Sequence, residues 1–174
     1  MVAAYIGGGA LLLASIALLA GFYNLRDAAH TWPPSNVDFD EYLSAMLTAT
    51  LLLSAAVVGW GSSAARLGNR RQALASLLIT AGLGGAFLNL AWYTGSQAGF
   101  GPSSHAFGAV VITSLALGAA AVVIGIVFLA VALLRAQLRA DDGGLVRAAA
   151  RFWFLVVAAW IVSPVALYGL MSPR

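Results

Sequence analysis

Hydrophobic positions along this chain fall into five long runs separated by short polar stretches. The runs cover about Val2 to Leu25, Tyr42 to Ala65, Ala73 to Tyr93, His105 to Leu134 and Ala148 to Leu170. A helix needs about 20 apolar residues to cross the hydrocarbon of a bilayer, and each run supplies them. The pattern predicts an all-α, polytopic membrane bundle of five transmembrane helices, with residues 1–174 as a single membrane domain. The fourth run is the longest and is expected to tilt or to extend past the lipid. The first run is too long, and lacks the basic start, for a cleaved signal peptide, so it is read as a retained helix.

The polar stretches say where the chain turns. Arg26 to Glu41 contains Trp32-Pro33-Pro34, and two successive prolines do not continue a helix. Arg66-Leu67-Gly68-Asn69-Arg70-Arg71 is a short basic turn, Gly95 to Ser104 a Gly/Ser loop with Pro102, and Arg135 to Arg147 a loop with Asp141-Asp142-Gly143-Gly144. Basic residues in short loops favour the cytoplasmic side. Arg66, Arg70 and Arg71 lie between the second and third runs; Arg135, Arg139, Arg147 and Arg151 lie in and beside the loop between the fourth and fifth. The first loop sets one arginine against Asp27, Asp38, Asp40 and Glu41, and the third has no charged residue. The expected orientation is N-terminus in, C-terminus out.

Composition agrees. Of the 174 residues, 61% are hydrophobic and 9% charged, too few charges to solvate a soluble domain, which carries about 25%. No cysteine is present, which removes disulfides and thiolate metal sites. Every basic residue is Arg and none is Lys, and Ala and Gly are abundant, as in a product of a GC-rich bacterial genome. The expected location is therefore a bacterial inner membrane. The net charge of +3 does not point to nucleic acid, because the arginines sit in two turns and serve topology.

Helices in lipid pack through small residues, so Gly82, Gly84 and Gly85 in the third run and Gly118 to Ala121 with Gly125 in the fourth are expected contact points. Serines and threonines are expected to bond to carbonyls one turn back, and Asn89 to join helices. No Asp, Glu, Lys, Arg or His lies deep in any run. Such groups mark proton relays, ion paths and haem ligation in membranes, so no chemistry of that kind is expected here. His30 and His105 stand a helical hairpin apart and give no ligand spacing. No catalytic, metal or cofactor-binding residue is assigned. Tyr23, Trp32, Trp92 and Tyr93 are expected near the outer interface, and Trp60 and Trp153 near the inner one. Trp60, Arg66, Arg151 and Trp153 form the candidate set for contact with an anionic lipid headgroup.

Several segments, in order, carry a family resemblance. They are Leu12-Leu13-Ala14-Ser15; Trp32-Pro33-Pro34 with Asp40-Glu41-Tyr42-Leu43; Ala65 to Leu74; Ala86-Phe87-Leu88; Gly101-Pro102-Ser103-Ser104 with Phe107-Gly108 and Gly125; and Phe152-Trp153, Trp160-Ile161 and Pro164. Over nearly its whole length the chain resembles the five-helix form of subunit III of the haem–copper oxidases. It departs from that family's pattern where buried polar residues are usual: Ile16 replaces a glutamate, Ala91 and Thr94 a glutamine and a glutamate, Gly118 and Ala121 two histidines, and Phe154 and Val157 a histidine and an aspartate.

The resemblance implies a non-catalytic accessory subunit of a respiratory haem–copper oxidase, a cytochrome c or quinol oxidase. It would pack beside catalytic subunit I and support its stability and lipid packing in aerobic electron transport. Haem and copper would belong to the partner subunits, phospholipid to the periphery of this one. The alternatives are a subunit III-like component of another membrane oxidoreductase, such as a nitric oxide reductase, and a small transporter. The transporter would need a polar path or broken helices at mid-membrane, and the runs offer neither.

Overall fold

The computed structural model describes residues 2–28, 41–97, 106–138 and 143–171, with side chains described over 6–24, 42–97, 108–138 and 143–162. Five helices follow one another: α1 (Val2–Ala28), α2 (Glu41–Arg66), α3 (Arg70–Gln97), α4 (Ala106–Gln137) and α5 (Gly144–Met171). Each is long and apolar enough to cross a membrane. They run past the hydrophobic stretches that announce them, because helix propagation needs only the next backbone hydrogen bond, whatever the side chain. The loop segments around Trp32-Pro33-Pro34, Pro102 and Asp141-Asp142, together with His30 and His105, lie outside the described residues.

The turn between α2 and α3 is the best-defined corner. Gly68 has φ 72°, a left-handed conformation that costs a glycine little. There the Asn69 N–H donates to the Ala64 carbonyl (2.9 Å) and the Gly68 N–H to the Ala65 carbonyl (3.3 Å), a Schellman ending for α2. Asn69 then caps α3, its side-chain oxygen accepting from the Gln72 N–H at 3.3 Å. Six residues of turn predicted from sequence thus contract to three, and α3 begins at Arg70.

Packing arranges α2, α3, α4 and α5 as a closed ring: α2 on α3, α3 on α4, α4 on α5 and α5 back on α2. α1 lies outside it, against α5 and, more lightly, α4. The two helices flanking α5 on its outer side, α1 and α2, do not pack extensively on each other.

Closest approaches occur at small residues. A Cβ on Gly61 of α2 would collide with the Ser76 side chain of α3, and one on Gly8 of α1 would collide with Leu155 of α5. Gly84, Gly118 and Gly125 are contact points as predicted, but nothing approaches Gly82 or Gly85 within 4 Å. Most hydroxyls bond within their own helix: Ser15 to the Leu11 carbonyl, Thr50 to Met46, Ser63 to Gly59, Ser76 to Ala73 and Thr94 to Leu90. Asn89 corrects an expectation. It is exposed, whereas Phe87 and Ala91 on either side are buried. Two positions along an α-helix rotate a side chain by about 200°, so burying that pair turns Asn89 away from its neighbours.

Candidate functional site

Two tryptophans of α5 organise the interior. Trp153 is completely buried, and its indole N–H donates to the Ser54 hydroxyl of α2 at 2.9 Å. Ser54 in turn donates to the Leu51 carbonyl at 2.6 Å. An unpaired indole N–H in hydrocarbon is costly, so this bond fixes the ring's orientation as well as its place. Glycines shape the socket: a Cβ on Gly84 of α3 would stand 2.8 Å from the Trp153 ring, and one on Gly125 of α4 also 2.8 Å. About two turns further on, Trp160 donates to the Thr48 hydroxyl of α2 at 3.3 Å and meets Phe87 of α3 edge to face, with centroids 4.9 Å apart. A Cβ on Gly118 of α4 would lie 2.5 Å from the Trp160 ring.

This arrangement overturns the reading of Trp153 as an interfacial lipid contact. The ring presents no surface to lipid, because glycines on two other helices open a hole that it fills. Of the positions that depart from the resembled family, Thr94 is half-buried and bonds within its own helix to the Leu90 carbonyl; the others divide in two. Ala91, Ala121 and Val157 are in the core, and Gly118 makes room for Trp160. Ile16 and Phe154 are exposed.

The other three candidates are on the surface but not in one place. Trp60, Arg66 and Arg151 are all exposed. Gly59 touches the tip of the Phe154 ring, its Cβ position 3.4 Å away, so that side of α2 faces α5. Arg66 is seven residues, about two turns, beyond Gly59 and returns to the same side. Trp60 is one residue beyond Gly59, rotated by about 100°, and faces away. On α5, Arg147, Arg151, Phe154 and Ala158 share the strip left open between α1 and α2, spaced four, three and four residues apart. Helical phase therefore puts Arg66 on the α5-facing side of α2 and leaves Trp60 elsewhere. The Arg147 guanidinium stands beside Gly143, 3.2 Å from where a Cβ there would lie.

Arg70 has a different task. Its guanidinium donates from Nε to the Ala136 carbonyl (2.9 Å) and from Nη2 to the Gln137 carbonyl (2.6 Å), the last carbonyls of α4. A cation at a helix C-terminus is favoured by the backbone dipoles. The contact fastens the α2–α3 turn to α4 beside a cavity of about 230 Å³ lined by Ala65, Gly68, Ala73, Gly143 and Val146. A second, apolar cavity of about 710 Å³ opens between the far halves of α3 and α4, lined by Leu88, Trp92, Gly95, Leu115 and Ala119. Among the described residues no three His, Cys, Asp or Glu side chains gather where they would hold a metal ion.

Comparison with known proteins finds that a family model described as cytochrome c oxidase subunit III matches residues 14–171. The curated cytochrome c oxidase subunit 3 of Danio rerio is 32% identical over 142 residues, covering 79% of this chain and 54% of the relative. That of Scyliorhinus canicula is 31% identical over 142 residues, with the same coverage of each chain. That of Hippopotamus amphibius is 32% identical over 143 residues, again covering 79% and 54%. The chain spans about half the length of the curated relatives it matches.

Proposed function

Because this chain belongs to the cytochrome c oxidase subunit III family, we propose that it is a non-catalytic accessory subunit of a respiratory haem–copper oxidase. In this reading it packs beside catalytic subunit I, supports its stability and holds lipid at its own periphery. The arginine-rich end faces the cytoplasm of a bacterium, in keeping with the arginine bias of its turns. One observation carries the proposal. Between that end and the far end, the described side chains of the bundle interior are aliphatic, aromatic, small or hydroxylic, and none is ionisable. These described side chains pack by shape and include none of the titrating groups that mark proton relays and metal ligation at such depth. Haem and copper belong to the partner subunits.

Gentle purification of the tagged chain from its native membrane tests this. Recovery with a haem-bearing subunit that shows the optical spectrum and oxygen consumption of a terminal oxidase is the expected result. Recovery with no haem protein would overturn the proposal. Recovery with a haem protein that reduces nitric oxide and not oxygen would replace it with the nitric oxide reductase alternative.

A further inference from the structure

We propose that two copies of this chain pair through α3, face to face about a two-fold axis along the membrane normal, with their Asn89 carboxamides hydrogen-bonded to each other. The inference goes beyond the reading above and takes from it only the membrane setting.

Asn89 is exposed on α3, and its carboxamide has no hydrogen-bond partner among the described residues. Asn24, exposed on α1, solves the same problem within its own helix: its Nδ2 donates to the Ala20 carbonyl at 2.8 Å. Depth makes the difference costly. Asn89 lies about 28 Å along the helix from Arg70 and about one turn inside Trp92 and Tyr93. Acyl chains at that level neither donate nor accept hydrogen bonds, and an unpaired amide there is unfavourable. Its helical phase puts Asn89 on the outermost line of α3. Ala75, Gly82, Asn89 and Ser96 recur every seven residues. The first three each stand two residues, about 200°, past a buried one: Ala73, Thr80 and Phe87. The line therefore points away from the bundle. Nothing approaches Gly82, or Gly85 beside it, within 4 Å. A neighbouring backbone can come close at such residues, and a seven-residue spacing keeps a left-handed helix pair in contact along its length.

Hydrogen-bond complementarity selects the occupant. A carboxamide is donor and acceptor at once, so an identical group placed opposite satisfies both functions. Every copy inserts with the same orientation, so two α3 helices run parallel and their Asn89 residues come to one depth without adjustment. An apolar helix of another protein would leave the amide unpaired. The exposed hydroxyls of Thr50 and Ser63 on α2 are already bonded to carbonyls of their own helix, so they set no comparable demand. A two-fold pair is the commonest closed assembly, and one asparagine on a parallel helix seam fixes both register and the number of partners.

The chain has no cysteine, which makes the test direct. In native membranes, Ala75→Cys and Ser96→Cys are each expected to form, on mild oxidation, a disulfide-linked pair of this chain identified by mass spectrometry, since a disulfide needs Cα atoms within about 7 Å. Val127→Cys, exposed on α4, is expected to form none. In liposomes, energy transfer between two fluorescently tagged populations reads the association constant. Asn89→Leu is expected to lower it about tenfold, Asn89→Gln to keep most of it, and Asn24→Leu to leave it unchanged. Gly82→Ile, which leaves the amide in place but fills the close approach, is expected to lose it as well and gives a second reading of the same seam. Circular dichroism of monomeric Asn89→Leu in detergent is expected to match the wild type, which separates lost pairing from lost folding. Single copies at every chain density in the liposomes would overturn the proposal. So would unchanged association in Asn89→Leu, or cross-linking of Val127→Cys as complete as that of Ser96→Cys. Cross-linking of Ser96→Cys in native membranes only to a different polypeptide would assign the face to another subunit and overturn it too. Each result stands whether or not a haem-bearing partner is recovered.

Discussion

α5 and α1 are helices of similar length and similar apolar character that lead opposite lives in the bundle. α1 buries only Gly8, Ser15 and Phe22 among its described side chains, spaced seven residues apart along a single seam. α5 buries residues on most of its sides, from Val146 to Trp160, and touches α1, α2 and α4. The difference lies in what meets each helix. α5 offers large rings, and the neighbouring helices answer with glycines and hydroxyls at matching levels. α1 offers two glycines to α5, and most of its surface stays outside. In hydrocarbon, where apolar contact with a neighbour and with lipid are nearly equivalent, close fit and hydrogen bonds decide which helix becomes central.

Breaking the central helix tests the comparison hardest. Trp153→Ala empties a fully enclosed site and orphans the packing of three helices; a loss of about 3–5 kcal/mol is expected, read by equilibrium unfolding in detergent followed by circular dichroism. A loss below that of an exposed control such as Trp92→Ala would refute the view of Trp153 as keystone.

A matched pair of glycine substitutions sharpens the contrast. In Gly125→Ala the new methyl meets a rigid indole that is itself hemmed in, and about 1–3 kcal/mol should be lost. In Gly9→Ala of α1 the new methyl meets nothing within 4 Å, and no comparable loss is expected. Equal losses would mean that α1 is held as firmly as the ring. Removing the hydroxyl in Ser54→Ala leaves the Trp153 N–H unpaired and should cost about 1–3 kcal/mol. Adding Trp153→Phe should abolish most of that cost, and a double-mutant cycle showing no coupling would sever the proposed link.

The smallest effect is expected at Thr80, whose buried hydroxyl finds no partner. Thr80→Val removes an unsatisfied oxygen and keeps the shape, so stability should be unchanged or slightly higher. A clear loss would show that this hydroxyl is engaged after all.

Much of this was legible in the residues. The five spans, the turn at Gly68-Asn69 and the back-bonding of Ser15, Thr50 and Ser63 are local matters, decided within a turn or two. The inner-interface reading of Trp153 failed for a physical reason. Distance from Arg151 along the chain gives depth, but depth says nothing about which way an indole points. Helices that are apolar all round give no stripe by which to tell inside from outside, so Asn89 and Trp153 were both misread.

The amino-acid sequence by itself determined that this chain makes five membrane-length helices with arginines gathered at one end, because hydrophobic length and backbone capping act along the chain. Only the tertiary structure decided that α5 is the pivot and that Trp153 is enclosed. Those facts depend on which small residues of other helices come level with each ring, and close packing between separate segments is settled only when they meet.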